Sequence, residues 1–171
     1  KNDTIKANLE LINDKYEISF DNKSKYVFWD NFKIEKIIDT YWNSLSFEYN
    51  SDKQIVKITD TLNREYNLSY YSNSRIYKII DFTWNEVEFI YFSENETNWS
   101  QFDLKTIKMI NWSSQKEISF TYTMWSDFEN SHNIVKLIDS ADNTYVENTY
   151  DLNDRVSSQT YGNWTIYYNY T

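Results

Sequence analysis

Side chains able to do catalytic chemistry are scarce in this sequence. His132 is the only histidine and there is no cysteine, so a Cys-His nucleophile pair, a histidine-rich metal cluster and a thiolate metal site are all excluded. A Ser-His-Asp triad would have to use His132, and no serine is flanked by the glycines of a nucleophile elbow. We interpret His132 as a turn residue without a catalytic role.

Phosphate-binding and metal-binding motifs are equally hard to find. Gly162 is the only glycine, which rules out glycine-rich phosphate loops. A carboxylate pair of the glycosidase type could form wherever two turns meet, but among 26 acidic residues such coincidences carry no weight. Asp39, Asp60, Asp81 and Asp139 could be imagined as Ca²⁺ ligands, yet one carboxylate per turn is too few. We predict no enzymatic activity, no cofactor and no metal.

Composition indicates the class of structure that this chain must form. Aromatic residues make up 19% of it, with 16 Tyr and 10 Phe, and such side chains favour β-sheets. The net charge of −9 argues against binding to nucleic acid or to an anionic membrane surface. No apolar run approaches the roughly 20 residues that span a bilayer, and no signal peptide is visible. The chain starts at Lys1 rather than Met, so we expect a segment of a longer protein.

A six-residue phrase recurs through the chain and ends each time in an acidic residue or its amide. It occupies 34–39, 55–60, 76–81, 106–111 and 134–139, with Lys three places before the last residue. The first three copies are 21 residues apart, and the later ones are spaced by 30 and 28. The phrases end at Asp39, Asp60, Asp81, Asn111 and Asp139. We predict that each copy is a short strand that these side chains close with an Asx-turn.

Alternating apolar residues follow each phrase and indicate a second strand. A strand, turn, strand, turn pattern at about 21 residues predicts an all-β fold, an antiparallel hairpin meander that forms a curved open sheet or part of a hollow β-shell. We expect twelve to fourteen strands in one repeat segment over 1–171, clear from about 32 onward and poorly matched before that. The residues expected to line a buried face are Phe47, Tyr49, Leu68, Tyr70, Val87, Phe89 and Tyr91.

These phrases resemble the RHS/YD repeats of bacterial polymorphic toxins and teneurins. The family pattern is I-x-x-h-x-D-x-x-G, then Y-x-Y, then Y-D-x-x-G-R-V. The clearest copy has Tyr150 and Asp151, which correspond to the dipeptide that names the repeat, then Arg155, and it ends near Gly162. The resemblance implies a secreted or surface-displayed bacterial protein whose β-ribbon builds a wall around an effector domain, or presents one, with neighbouring repeats as its partners.

The sequence departs from this family where the family has glycine. The slot three residues after each closing residue holds Trp42, Asn63, Trp84, Ser114 and Asp142, although the turn needs a positive φ. All the tryptophans precede a small polar residue, and they are Trp29, Trp42, Trp84, Trp99, Trp112, Trp125 and Trp164. One hypothesis is that most stand where the native protein has glycine, through a UGA codon that some bacteria read as glycine. The other is that they are genuine and shield the ends of the sheet.

A binding function is the alternative to a structural one. Aromatic-rich β-repeats can offer Trp and Tyr faces to sugar rings, as the clostridial-type cell-wall-binding repeats do. Only the stretch 163–168 faintly resembles those repeats. If the tryptophans are genuine and exposed, the alternative of a carbohydrate-binding or cell-adhesion module, which would bind a cell-surface glycan, gains support.

Overall fold

The protein is all-β in the part of the chain that the computed structural model describes, residues 6–93, 96, 102–123 and 132–170. The described residues form fifteen strands, and the chain divides into two compact units, Lys1–Trp84 and Asn85–Thr171. Within each unit the strands follow the order of the sequence, and each pairs antiparallel with its neighbour. The predicted all-β antiparallel meander is therefore confirmed. The strand count exceeds the expected twelve to fourteen because 7–28, which matches the repeat poorly, also folds into hairpins.

The first unit contains eight strands. They are β1 (Ala7–Ile12), β2 (Lys15–Phe20), β3 (Lys25–Phe28), β4 (Ile34–Ile38), β5 (Ser44–Tyr49), β6 (Ile55–Asp60), β7 (Glu65–Tyr70) and β8 (Ile76–Ile80). In β6, the recurrent phrase forms the whole strand. Its Ile58 lies opposite Phe47 on one side and Tyr66 on the other, so one face is apolar.

The second unit contains seven strands. They are β9 (Glu86–Tyr91), β10 (Leu104–Ile110), β11 (Gln115–Tyr122), β12 (Ile134–Asp139), β13 (Thr144–Tyr150), β14 (Val156–Tyr161) and β15 (Trp164–Tyr167). The later phrases fall on β10 and β12, and the wider spacing of the copies reflects the longer connections after β9 and β11. None of the described residues forms a helix, so this part of the chain holds no helix able to cross a bilayer.

Nine turns share one geometry. In each, a backbone N–H donates back to the carbonyl three residues earlier at 2.8–3.2 Å, and the donor residue has a positive φ. These donors are Lys23, Phe32, Trp42, Lys53, Asn63, Ser74, Trp84, Asp142 and Asp154. A type I turn followed by one left-handed residue is the three-residue hairpin loop, whose twist matches that of the flanking strands. The repeat is therefore encoded in its turns as much as in its strands.

Burial in the sheet is slight, which corrects the expected buried face. Phe47, Tyr49, Leu68, Tyr70, Val87, Phe89 and Tyr91 are all half-buried. No described residue of the first unit is buried, and in the second unit only Phe92, Thr106, Tyr122 and Val146 are. Period-two alternation shows which residues share a face, but it does not show whether a second layer covers that face. Here the described residues form a single layer in each unit.

The face opposite the aromatic one carries the recurrent lysines. Lys57 lies between Glu48 at 3.3 Å and Glu65 at 3.4 Å, and these neighbours raise its pKa. Lys136 pairs with Glu147 at 3.2 Å in the second unit. Lysines of the recurrent phrases thus pair with glutamates across strands, although solvent-exposed pairs of this kind each contribute little to stability.

Candidate functional site

The residues that end the recurrent phrases close the turns through their side chains. Oδ1 of Asp39 accepts the backbone N–H groups of Tyr41 and Asn43, both at 2.8 Å. Oδ1 of Asp60, Asp139 and Asp151 accepts the corresponding pair of N–H groups in its own turn. Oδ1 of Asp81 accepts the N–H of Thr83 at 2.8 Å. One carboxylate oxygen thus satisfies two backbone donors that the sharp turn leaves without a carbonyl.

These hydrogen bonds also favour the ionised carboxylates. The side chain of Asn43 lowers the pKa of Asp39, and the backbone N–H of Asn143 does the same for Asp139. At Asp60, desolvation raises the pKa, but hydrogen bonds from the backbone and side chain of Arg64 lower it by more. Carboxylates committed to backbone donors in this way are poor proton donors near neutral pH. Their role in the turn is structural.

In the segment that most resembles the YD repeat, Tyr150, Asp151 and Arg155 all form hydrogen bonds at or next to one turn. The hydroxyl of Tyr150 donates to the carbonyl of Ile134 at 2.6 Å. Asp151 accepts two backbone N–H groups of its own turn, and its second oxygen accepts Nε of Arg155 at 2.9 Å. That hydrogen bond with the Arg155 side chain lowers the pKa of Asp151. The turn position that is glycine in the family is Asp154, with a φ of 59°.

The tryptophans fall into different structural classes. Trp42 and Trp84 have φ angles of 69° and 65°, which an L-residue with a bulky side chain rarely adopts. Trp29 opens its turn, and Phe32 holds the left-handed position there instead. Trp164 begins β15, and Gly162 supplies the positive φ of that hairpin. Trp99 and Trp125 lie outside the described residues.

The prediction that Ser114 occupies a glycine position of the turn after Asn111 is wrong, because Ser114 has no positive φ. The N–H of Asn111 donates to the carbonyl of Ser114 at 3.0 Å, which closes a loop of only two residues, Trp112 and Ser113. No third loop position exists, and neither Trp112 nor Ser114 has a positive φ. Oδ1 of Asn111 still accepts N–H groups of Ser113 and Ser114, at 3.1 and 2.8 Å. A positive φ therefore favours glycine at Trp42 and Trp84. Trp29, Trp112 and Trp164 have no positive φ, so the backbone does not favour glycine there.

Apolar side chains project from the turns along one edge of the first unit. Alternate turns of a meander lie at the same edge, so the turns at 39–43, 60–64 and 81–84 are neighbours about 10 Å apart. We call their exposed apolar residues the aromatic turn edge: Tyr41, Trp42, Leu62, Phe82 and Trp84. Trp42 is 64% exposed and Trp84 70%. This row is the largest group of exposed aromatic residues that neighbouring turns bring together in the first unit.

A shallow groove of about 310 Å³ lies between the first two of these turns. Asp39 and Asn43 line one side, and Asp60, Leu62 and Arg64 line the other. The guanidinium of Arg64 contacts the carboxylate of Asp60 at 2.6 Å and lies 5.0 Å from the ring centre of Phe82. The groove combines apolar surface with hydrogen-bonding groups, a combination suited to a ligand with both kinds of surface.

His132 is paired with a carboxylate in the second unit. Its Nδ1 lies 3.0 Å from Oδ2 of Asp103. Both residues lie at the ends of long connections, Asp103 just before β10 and His132 just before β12. His132 has a φ of 69°, as expected for a turn position. Among the described residues, no group of three or more His, Cys, Asp or Glu side chains could hold a metal ion.

Part of a much longer chain in a solved structure has a similar fold. A crystal structure of TcdB2-TccC3-Cdc42 matches 81% of this chain and 8% of that one, with a TM-score of 0.50 and 11% sequence identity. At that identity the likeness shows the fold alone. The chain corresponds to only a small part of that much longer polypeptide.

Other comparisons add little. A porin-like protein from Bacteroides uniformis ATCC 8492 matches 94% of this chain and 92% of that one, with a TM-score of 0.37 and 12% identity. No protein-family model matches the chain. No curated protein matches it by sequence.

A row of tyrosine hydroxyl bonds was missed at the sequence level. In each case the hydroxyl of a tyrosine near the end of a hairpin donates a hydrogen bond to a backbone carbonyl. That carbonyl belongs to the first residue of the first strand of the same hairpin. The pairs are Tyr49 with Ile34, Tyr70 with Ile55, Tyr122 with Leu104, Tyr150 with Ile134 and Tyr170 with Val156, at 2.6–2.8 Å. The signal was the choice of Tyr rather than Phe at the end of each Y-x-Y pattern, which packing alone does not require.

Proposed function

We propose that this chain is a non-enzymatic structural segment of a large secreted or surface-displayed bacterial protein of the RHS/YD-repeat type. It builds a β-sheet wall that encloses or presents an effector domain. Its partners are neighbouring repeats of the same or a longer chain and the effector domain itself. Its net charge of −9 disfavours nucleic acid as a partner.

One observation carries this proposal. Strands β2–β7 in the first unit and β10–β14 in the second each pair with a neighbour on both sides, while almost no described side chain is buried. Such a sheet is extended by adding hairpins, because each repeat contacts only its neighbours. A single-layer sheet that further repeats can extend is the kind of element from which a wall between two compartments is built. The likeness to a segment of TcdB2-TccC3-Cdc42 is a likeness of fold and agrees with it.

The test is electron microscopy of the native gene product together with limited proteolysis. We expect these residues to form rungs of a continuous sheet around a cavity, with a domain inside that resists protease until the sheet is unfolded. A native product in which these residues form an isolated sheet, and in which every other domain is cut at once, would contradict the proposal.

The aromatic turn edge favours a second candidate, carbohydrate binding in cell adhesion. Trp42 and Trp84 are both exposed on one edge, about 20 Å apart across four strands. Exposed aromatic faces can stack on the apolar faces of sugar rings that lie several residues apart in one chain, and the groove at Asp39 and Arg64 offers partners for hydroxyl groups. A sugar would lie along the turns rather than on a sheet face.

A glycan array separates the two candidates. Binding that is lost in Trp42→Ala and in Trp84→Ala, and kept in Trp112→Ala, would support adhesion. Trp112 is the matched control because it is 86% exposed and lies in the other unit. A wall segment without a binding role gives no signal with any of the four proteins.

A further inference from the structure

A second groove lies in the first unit, at the edge opposite the aromatic turn edge. It separates the turn at 29–33 from the turn at 50–54 and has a volume of about 600 Å³, within the range of about 300–1,000 Å³ that is usual for ligand sites. Strands β3–β6, which carry these turns, each pair with a neighbour on both sides. The next turns along this edge, at 13–14 and 71–75, are also described, so the groove does not lie at an end of the sheet. We call it the lysine groove, and its lining includes Trp29, Asp30, Lys33, Tyr49, Ser51 and Lys53.

Two lysines of the lysine groove lack a carboxylate partner. Lys33 ends the first turn, and Lys53 holds the left-handed position of the second, with a φ of 67°. Neither forms an ion pair with any described residue, whereas Lys25 and Lys57 pair with glutamates at 2.6 and 3.3 Å. Desolvation lowers the pKa of Lys33, and the charge of Lys53 lowers it further. Two ammonium groups that repel each other are both stabilised by an anion placed close to them.

Aromatic side chains form the apolar part of the lysine groove. The ammonium group of Lys33 lies 4.3 Å from the ring centre of Tyr49, and the hydroxyl of Tyr49 donates to the carbonyl of Ile34 at 2.7 Å. These contacts fix the ring and position the ammonium group over it. Trp29 is 39% exposed and so offers an indole surface to a ligand. Unlike Trp42, it has no positive φ, so the backbone gives no reason for glycine in its place.

The remaining groups of the lining narrow the class of ligand. Asp30 and Ser51 offer hydrogen-bonding partners for hydroxyl groups, and Glu48, which also lines the groove, already pairs with Lys57 at 3.3 Å. A simple inorganic anion would leave the indole surface unused and would be repelled by Asp30. A neutral sugar would leave the two lysines without a partner. A sugar ring that carries an anionic group engages the lysines, the indole and the hydrogen-bonding groups together.

We propose that the lysine groove binds an acidic sugar, that is, a sugar ring with a carboxylate or phosphate group. The anionic group lies against Lys33 and Lys53, and the apolar face of the ring stacks on Trp29. The hydroxyl groups bond to Asp30 and Ser51. This site is separate from the aromatic turn edge and does not depend on the wall function, because a wall segment and an adhesion module could both carry it.

The experiment is calorimetric titration of the chain with galacturonate, galactose 1-phosphate and neutral galactose. We expect at least one acidic sugar to bind about tenfold more tightly than galactose, since a charged hydrogen bond contributes that much. Lys33→Gln and Lys53→Asn should each weaken this binding by about tenfold, and Trp29→Ala should weaken it too. The affinity should also fall as salt is added, because these ammonium groups are open to solvent.

Lys36→Gln is the matched control, because Lys36 lies in β4 of the same unit, forms no ion pair with a described residue and does not line the groove. This variant and Trp42→Ala should bind as the wild type does. Binding of galacturonate alone would identify the carboxylate as the anionic group, and binding of galactose 1-phosphate alone would identify the phosphate. The proposal is overturned if neither acidic sugar binds, if galactose binds equally well, or if Lys36→Gln or Trp42→Ala weakens binding as much as Lys33→Gln does.

Discussion

At the scale of single residues, the left-handed turn position decides how well each side chain is tolerated. Each of the nine turns with the shared geometry places a non-glycine residue at positive φ, and Asn63, Asp142 and Asp154 are the types that tolerate it best. Trp42 and Trp84 tolerate it least. The family resemblance located this position correctly in four of its five expected places, through the spacing from the closing acid. It failed at Ser114, because a loop shortened by one residue leaves no trace in composition.

Replacing these two tryptophans by glycine tests the strain directly. Relief of the left-handed conformation is worth about 1–2 kcal/mol, and the freedom of glycine in the unfolded chain offsets about 0.5–1 kcal/mol of it. We expect Trp42→Gly and Trp84→Gly each to raise the free energy of unfolding by roughly 0.5–1 kcal/mol in urea titrations.

Trp112→Gly is the control, because Trp112 is exposed without a positive φ. It should lower the free energy of unfolding by about 0.5–1 kcal/mol, since only the entropic cost of glycine remains. If the two substitutions change the free energy of unfolding in the same direction, the left-handed backbone at Trp42 is not strained. A rise in the free energy of unfolding for Trp42→Gly together with a fall for Trp112→Gly would show that the backbone at Trp42 favours glycine. The hypothesis that tryptophan stands in place of a native glycine requires this result.

The closing aspartates provide a second residue-scale prediction. Asp39→Ala removes the acceptor of two backbone N–H groups, and we expect a lower free energy of unfolding. Asp39→Asn keeps an oxygen in that place and should lose less. The pKa of Asp39 is lowered in the folded protein, so its contribution is fully present above the unfolded pKa of about 3.9 and is lost as the pH falls through the folded pKa.

The pH dependence separates the two variants. The stability difference between the wild type and Asp39→Asn should shrink as the pH falls below about 4, because the amide does not titrate. Thermal unfolding at several pH values measures this difference. A gap that stays constant down to strongly acidic pH would show that the ionised carboxylate has no special role in the turn.

At the scale of the strands, the tyrosine hydroxyls join each hairpin to the strand before it. Tyr49, Tyr70, Tyr122 and Tyr150 each lie at a register shift in the pairing with the following strand. A bulge there increases the local twist and re-aims the side chain, so the hydroxyl reaches the carbonyl behind it. Burial raises the pKa of Tyr122 to about 12, and the charge of Asp103 adds to that rise. Hydropathy alternation predicted these strands well, but a bulge has no signature in a two-residue period.

The bond from Tyr70 to Ile55, at 2.7 Å, can be tested by removing one oxygen atom. We expect Tyr70→Phe to lower the free energy of unfolding by about 1 kcal/mol, since the ring still packs and only the hydrogen bond is lost. Tyr66→Phe is the matched control, because Tyr66 lies on the same face of β7 and its ring packs edge-on against Phe82. Equal losses in the two variants, measured by chemical denaturation, would show that the hydroxyl bond contributes nothing.

At the scale of the molecule, the hairpins of each unit pair in sequence order. The spacing of 21 residues and the acidic residue that ends each phrase were enough to predict this order, because both are local signals. The covering of the sheet was not predictable, since Phe47 or Leu68 would show the same alternation beneath a second layer. The aromatic turn edge was also not predictable from the sequence alone, because Tyr41 and Trp42 come beside Leu62 only when the strands form the meander.

The most direct test is a nuclear magnetic resonance measurement of contacts between Hα atoms on opposed strands. We expect a contact between Lys57 and Asn67, and another between Phe47 and Ile58, because these pairs lie opposite each other on the two sides of β6. Both contacts together would show that the recurrent strand is a rung between two neighbours. Their absence, or contacts of the helical type between residues three apart along 55–70, would contradict the hairpin meander and the wall function built on it.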